Sequence, residues 1–170
     1  NFVRVKDSVE TIYEDRLIAN DLIFELSTVL QEKELALVKT DTVFFKETNP
    51  KEDSKIQALI ERYGQTRLTP EERIVFDEFK ENLNDLKKEE ARFIDSNFRS
   101  KTDLFNTISI LKQNLFKLSK IQLNEGSRQM SISKRAIDTV ELFTQIEMYV
   151  LVFLAILIQI IVIYKPKEKA

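Results

Sequence analysis

The side chains able to do chemistry are few in kind. In 170 residues there is neither Cys nor His, so thiol nucleophiles, imidazole bases, disulfides and the usual zinc and haem ligands are excluded. Paired glutamates of di-iron bundles need a Glu-x-x-His partner, which this chain cannot form. No metal, cofactor or catalytic residue is expected, and the protein is read as no enzyme. What remains is recognition by carboxylates, guanidinium groups and amides. One candidate group of them lies in SVETIYEDRLIANDL, Ser8 to Leu22, where Tyr13, Asp15, Arg16 and Asn20 lie close together. Matching helix rises from a common base puts Arg16 and Asn20 near the level of Glu125, Arg128 and Gln129, where the apolar stripe of the last helix turns polar through Gln122, Glu125, Gln129 and Ser133. Two readings stand: a hydrogen-bonded polar layer that sets helix register, or a solvated face on which Asp15 and Arg16 form a surface pair worth under about 1 kcal/mol.

Such groups need elements to hold them, and the composition says which. Gly occurs twice and Pro three times; with few turn residues, long helices are required. Residues Phe2 to Lys46 contain neither, and Val9, Ile12, Leu22, Leu26, Val29, Ala36 and Val43 recur at helical spacing. One long helix of about 45 residues follows. The polar stretch Glu47 to Ser54, with its Asn49-Pro50 step, reads as a turn. A short helix runs from about Glu52 to Tyr63, closed by Gly64 in the C′ position. In LTPEE, Thr69 is the N-cap, Pro70 the first helical residue and Glu72 the partner three residues on. The third helix reaches about Asp95 and buries Ile74, Phe76, Phe79, Leu83, Leu86 and Phe93. Asp95 to Asp103 is a turn or a frayed helix start capped by Ser96 or Ser100. Leu104, Ile108, Leu111, Leu115 and Leu118, at steps of four and three, begin a last helix that runs to Tyr164.

Met148 to Tyr164 holds seventeen residues with Gln159 as its one strongly polar group, in a chain that is 32% charged. At ~1.5 Å per residue it spans about 25 Å, close to a hydrocarbon core. Tyr149 and Tyr164 bracket it as interfacial aromatics, and Lys165, Lys167 and Lys169 follow. A membrane span with a cytoplasmic C-terminus is expected, and the lipid bilayer is one partner. Gln159 is expected to face a second transmembrane helix, because an unpaired amide in hydrocarbon is costly. The fold class is thus all-α: an elongated antiparallel four-helix bundle (1–147) continuing into a C-terminal transmembrane helix (148–164) with a short basic tail (165–170). The net charge of −2 without a concentrated basic face argues against nucleic acid. Phe44, Phe45, Phe93, Phe98 and Phe105 should gather at the membrane-distal end, as core or as a cleft for an apolar ligand. Arg62, Arg67, Arg73, Arg92 and Arg99 form solvated faces or an anion site at a dimer interface.

The segment Tyr13, Asp15, Arg16, Leu17 on a long first helix, with LTPEE and the closing span, resembles the four-helix-bundle sensory module of bacterial chemoreceptors. That resemblance implies a periplasmic or extracellular bundle on the bacterial inner membrane, paired as a homodimer or held in a larger membrane-protein complex. It also implies recognition of a small-molecule ligand or a binding protein on the outer part, with signals passed by a small displacement of the last helix to a cytoplasmic HAMP and signalling region. Two departures stand out: no first span precedes Asn1, and six residues after Tyr164 are too few for an output domain. The expectation is a sensory, signal-transducing bundle without its own output domain. The alternative is a single-span accessory subunit of a larger membrane complex.

Overall fold

A computed structural model describes the backbone of residues 2–163 and the side chains of residues 14–163. Tyr164, Lys165, Lys167 and the side chain of Tyr13 lie outside the described residues. The elements are α1 (Phe2–Lys39), a π-helical turn (Phe44–Thr48), α2 (Asn49–Gly64), α3 (Pro70–Asp95) and α4 (Thr102–Ile163). No strand occurs among the described residues. The chain forms two compact units, Glu10–Ser127 and one whose described residues are 2–9 and 128–163.

Within Glu10–Ser127 the side-chain pairs fix the topology. Arg16 meets Glu72 and Lys33 meets Glu90, so α1 and α3 run parallel. Asp15 meets Arg67 while Lys33 meets Asp53, so α2 runs against α1. Arg16 reaches Gln122, Glu34 reaches Lys112 and Thr40 reaches Lys101, so α4 runs antiparallel to α1 as well. This is the up-down-up-down order that short connections favour. Its core is a set of seams at steps of three and four, of the kind that bundle packing requires. Leu104, Ile108, Leu111, Leu115 and Leu118 of α4 are buried as expected, and Phe76, Phe79, Leu83, Leu86 and Phe93 of α3 are buried in the same core.

The first turn is not where Pro50 suggested. α1 ends at Lys39, and Thr40 takes φ 54, with Asp41 N–H bonded to the Ala36 carbonyl at 2.9 Å. Asp41 Oδ1 accepts the Phe44 N–H at 2.9 Å, and Lys101 Nζ donates to Thr40 Oγ1 at 2.5 Å. The chain is helical again from Thr42. Pro50 fits because it lies at the start of α2, after a π-helical turn in which Asn49 N–H bonds the Phe44 carbonyl. The polar stretch Glu47 to Ser54 is therefore helical, and Val43, expected in the core, is exposed. The second helical arm, from Thr42 to Gly64, then approaches the length of α3, which removes the mismatch the sequence left between the middle helices. Gly64 ends α2 inside the helix, with no positive φ; the last carbonyls are met by Gln65 N–H and by Thr66 Oγ1, 2.7 Å from the Tyr63 carbonyl oxygen.

The Thr69 to Glu72 capping box forms in full. Residues 96–101 are a turn: Ser96 Oγ donates to the Phe93 carbonyl and accepts from Arg99 and Ser100 N–H, while Asn97 and Phe98 adopt left-handed φ of 57 and 63. The Phe98 ring offsets that strain by packing edge-on against Phe93 at 5.2 Å. Ile74 is 63% exposed, and Val75 takes the buried place. The seam through Glu72, Phe76 and Phe79 leaves position 74 on the opposite face. In the other unit, α4 continues to Ile163 with every residue from Ile137 onward exposed; it is long and apolar enough to cross a membrane.

Replacing Phe79, fully buried, with Ala should cost about 3–5 kcal/mol in chemical denaturation followed by circular dichroism. Ile74→Ala should change stability by no more than about 0.5 kcal/mol. Equal losses at the two positions would contradict this assignment of faces.

Candidate functional site

Among the described residues, two clusters built on buried charges interrupt the apolar seams of the bundle, beside the neutral pair of buried Asn114 with Asn82. In the first, the Glu72 carboxylate has no exposed surface. Arg16 Nη1 donates to both of its oxygens, at 2.8 and 3.0 Å, and to Gln122 Oε1 at 3.1 Å. The Thr69 N–H donates to it at 2.6 Å, and Gln122 Nε2 supplies a further hydrogen bond. Gln122 Nε2 also lies 3.4 Å from Tyr63 Oη. Side chains of all four helices thus meet here. Burial, with Glu72 nearby, pushes the Tyr63 phenol up to about 12.

Asp15 and Arg16 do not pair with each other. Asp15 accepts the Arg67 N–H at 3.1 and 3.3 Å, and Arg16 Nη2 donates to the Arg67 carbonyl at 3.2 Å. Two neighbouring α1 residues therefore satisfy both backbone groups of one residue in the loop between α2 and α3, which orients α3 at its start. On α4 the partner of Arg16 is Gln122, nearer the helix start than the expected level. Glu125 is half-buried and Asn20 is exposed, while Gln129 belongs to the other compact unit.

The second cluster centres on Lys33, whose side chain is fully buried. Its ammonium lies 2.7 Å from Asp53 Oδ1 and 2.8 Å from Glu90 Oε1 and also donates to Asn49 Oδ1. Asn49 Nδ2 closes the ring on Glu90 Oε2 at 2.9 Å. Here α1, α2 and α3 are joined. Burial raises the Glu90 carboxyl above its ordinary value, although Lys33 and Asn49 pull it back.

Arg16 is a candidate from sequence alone, whereas Lys33, Asn49 and Glu90 are not, and Glu72 is one only as a cap. The signal that finds them is the seam itself. On α3, Glu72, Phe76, Phe79, Leu83, Leu86, Glu90 and Phe93 follow steps of four and three without a break. On α4, Gln122 continues the row from Leu118; on α1, Arg16 precedes Ile23, Leu30 and Leu37 at steps of seven. A polar residue at a seam position is buried by its neighbours.

The phenylalanines do gather: Phe45 packs against Phe44 and Phe93, and Phe93 against Phe98, with ring centroids 5.0–5.4 Å apart. Of the arginines, Arg62, Arg73 and Arg99 are exposed and Arg92 pairs with Glu89. Tyr149 and Gln159 are exposed on α4. No group of acidic side chains suited to a metal ion occurs among the described residues.

The family model of a four-helix-bundle sensory module for signal transduction matches residues 1–137. The chain belongs to that family. The matched range takes in both polar clusters of this sensory module and all of its bundle, and it points to a role in signal transduction instead of catalysis. No curated protein and no solved structure matches the chain.

Lys33→Ala strands two carboxylates, and the sensory module should lose about 3–5 kcal/mol of unfolding free energy, part of it recovered by the pair Lys33→Met with Glu90→Leu, which removes one of the two stranded charges. Because the Glu90 pKa is raised on folding, its contribution is fully present below the ordinary 4.5 and is lost as pH rises through the folded value. Relative to Glu90→Gln, the native chain should therefore gain stability as the pH falls from about 7 toward about 4.5 in parallel melts. A difference independent of pH would show that burial does not hold this carboxyl up.

Proposed function

We propose that this sensory module is anchored in the bacterial cytoplasmic membrane by the apolar end of α4. Residues 1–147 lie outside, 148–164 in the bilayer, and 165–170 on the cytoplasmic side. Tyr149 and Tyr164 serve as interfacial anchors, with Lys165 and Lys167 at the cytoplasmic face. The module reads a small molecule or a partner protein and passes the event on through α4. The observation that carries this reading is Gln122. It belongs to the helix that continues into the apolar run, and it is hydrogen-bonded into the charged cluster of Arg16 and Glu72. A perturbation of α1, or of the loop that Asp15 and Arg16 hold, reaches α4 through that contact.

The protein acts as a homodimer or within a larger membrane-protein complex. The outer row of α1 supports this: Leu17, Phe24, Gln31 and Val38 follow steps of seven on the face away from the core, with Phe24 71% exposed. Gln159 supports it inside the bilayer, where its amide requires a donor or acceptor from a second helix.

The absence of native cysteine makes the topology directly testable. Asn97→Cys, in the turn before α4, should react with a membrane-impermeant maleimide on intact cells, and Lys169→Cys only after permeabilisation. The reverse pattern would overturn the orientation. Gln159→Leu should lower disulfide crosslinking between spans carrying Cys at position 152 by about three- to thirtyfold, for a hydrogen bond of ~0.6–2 kcal/mol. Unchanged crosslinking would remove Gln159 from the contact.

A further inference from the structure

The facing surfaces of α2 and α3 leave a groove of about 220 Å³ that none of the clusters above fills. Its floor is apolar: Ile56 and Ile60 of α2 and Leu83 and Leu86 of α3 are all buried. Its rim is cationic. Lys80 and Lys87 stand seven residues apart on α3, about 10 Å along the axis. Between them the exposed amides of Gln57 and Asn84 offer N–H donors. At ~30 Å³ per water the space equals about seven waters, enough for one small organic molecule.

Charge decides which kind. The one acidic lining group is Asp53, and its carboxylate is already neutralised from behind by Lys33 at 2.7 Å. Lys80 touches Asp77 at 2.6 Å, but both side chains are about half exposed and such a pair is worth little. Two lysines with long apolar stems over an aliphatic floor favour an anion with an apolar body and disfavour an amine of the same shape.

We propose that the α2–α3 groove binds a small monocarboxylate with an apolar tail, the tail on Ile56, Ile60 and Leu83 and the carboxylate on Lys87. Asp53 belongs both to the groove wall and to the Lys33 cluster. Occupancy therefore alters the pairing of a buried α1 side chain. That consequence rests on the sensory reading, whereas occupancy stands on the groove alone.

The test uses the full chain in phosphatidylcholine nanodiscs, methyl-labelled at Ile and Leu, titrated with hexanoate and with hexylammonium at low ionic strength. Hexanoate should shift the methyls of Ile56, Ile60 and Leu83 along one saturating curve with Kd below about 10 mM, and hexylammonium should bind at least about tenfold more weakly. Lys87→Glu should weaken hexanoate at least about tenfold, and Lys87→Gln by less, with melting temperatures unchanged because Lys87 is exposed. Non-saturating shifts, equal binding of the amine, or no effect of Lys87→Glu would each overturn the site. So would equal shifts at Leu157, which mark partition into lipid. None of these outcomes bears on the labelling pattern or the span crosslinking, so the groove and the sensory reading fail separately.

Discussion

A carboxylate with no exposed surface needs donors on every side, and Glu72 is placed so that only the assembled bundle supplies them. Its own helix provides the Thr69 N–H; α1 provides the Arg16 guanidinium; α4 provides the Gln122 amide. Remove α1 or α4 and the charge is left buried without one of its donors, a state that costs several kcal/mol. The apolar seams drive the helices together, but they tolerate sliding by a turn, since Leu, Ile and Phe repeat along them. Glu72 does not tolerate it. At this level of the bundle the axial position of α4 relative to α1 and α3 is set by one buried hydrogen-bond set, with Asn82–Asn114, Glu34–Lys112 and Thr40–Lys101 adding contacts further along.

A second set repeats the device further along the parallel pair. Lys33 and Glu90 lie 17 and 18 residues beyond Arg16 and Glu72, so both cation–carboxylate contacts join α1 to α3 in the same register. Buried ion pairs contribute little net stability compared with well-packed apolar residues, and their effect here is on alignment. The clusters differ in which helix completes them. Near the α2–α3 loop it is α4, through Gln122; near the π-helical turn it is α2, through Asn49 and Asp53. One set ties in the helix that carries the apolar run, and the other borders the groove. In a family that works in signal transduction, this puts the two joints where a change in one helix reaches another.

Much of this was legible in the sequence because it depends on local rules. The scarcity of Gly and Pro, the four-three spacing of Leu104 to Leu118 and the LTPEE cap lead to four helices, and the bundle has them. Arg16 stood out because it lies in the Tyr13, Asp15, Arg16, Leu17 segment and, by matched helix rises, near the level where the last helix turns polar. From sequence alone a solvated surface pair with Asp15 reads equally well. Pro50 misled because a proline's missing N–H is harmless near a helix start, and the π-helical turn that prepares that start depends on the packing of Phe45 against Phe93. The true turn, at Thr40, has no Gly; its left-handed residue is held by Lys101, 61 residues away, which no local rule reveals. Lys33 and Glu90 look like ordinary surface charges in a chain so rich in them. Only a seam traced through polar positions shows that both are enclosed.

The central claim is that Arg16, Glu72 and Gln122 act as one unit linking α4 to α1 and α3. A double-mutant cycle on unfolding free energy with Arg16→Met, Gln122→Leu and the pair together measures that link across the α1–α4 boundary. Coupling of about 1 kcal/mol or more is predicted for contacts within one buried network. Additivity within about 0.3–0.5 kcal/mol would mean that the two residues act independently and that α4 is positioned by its other contacts.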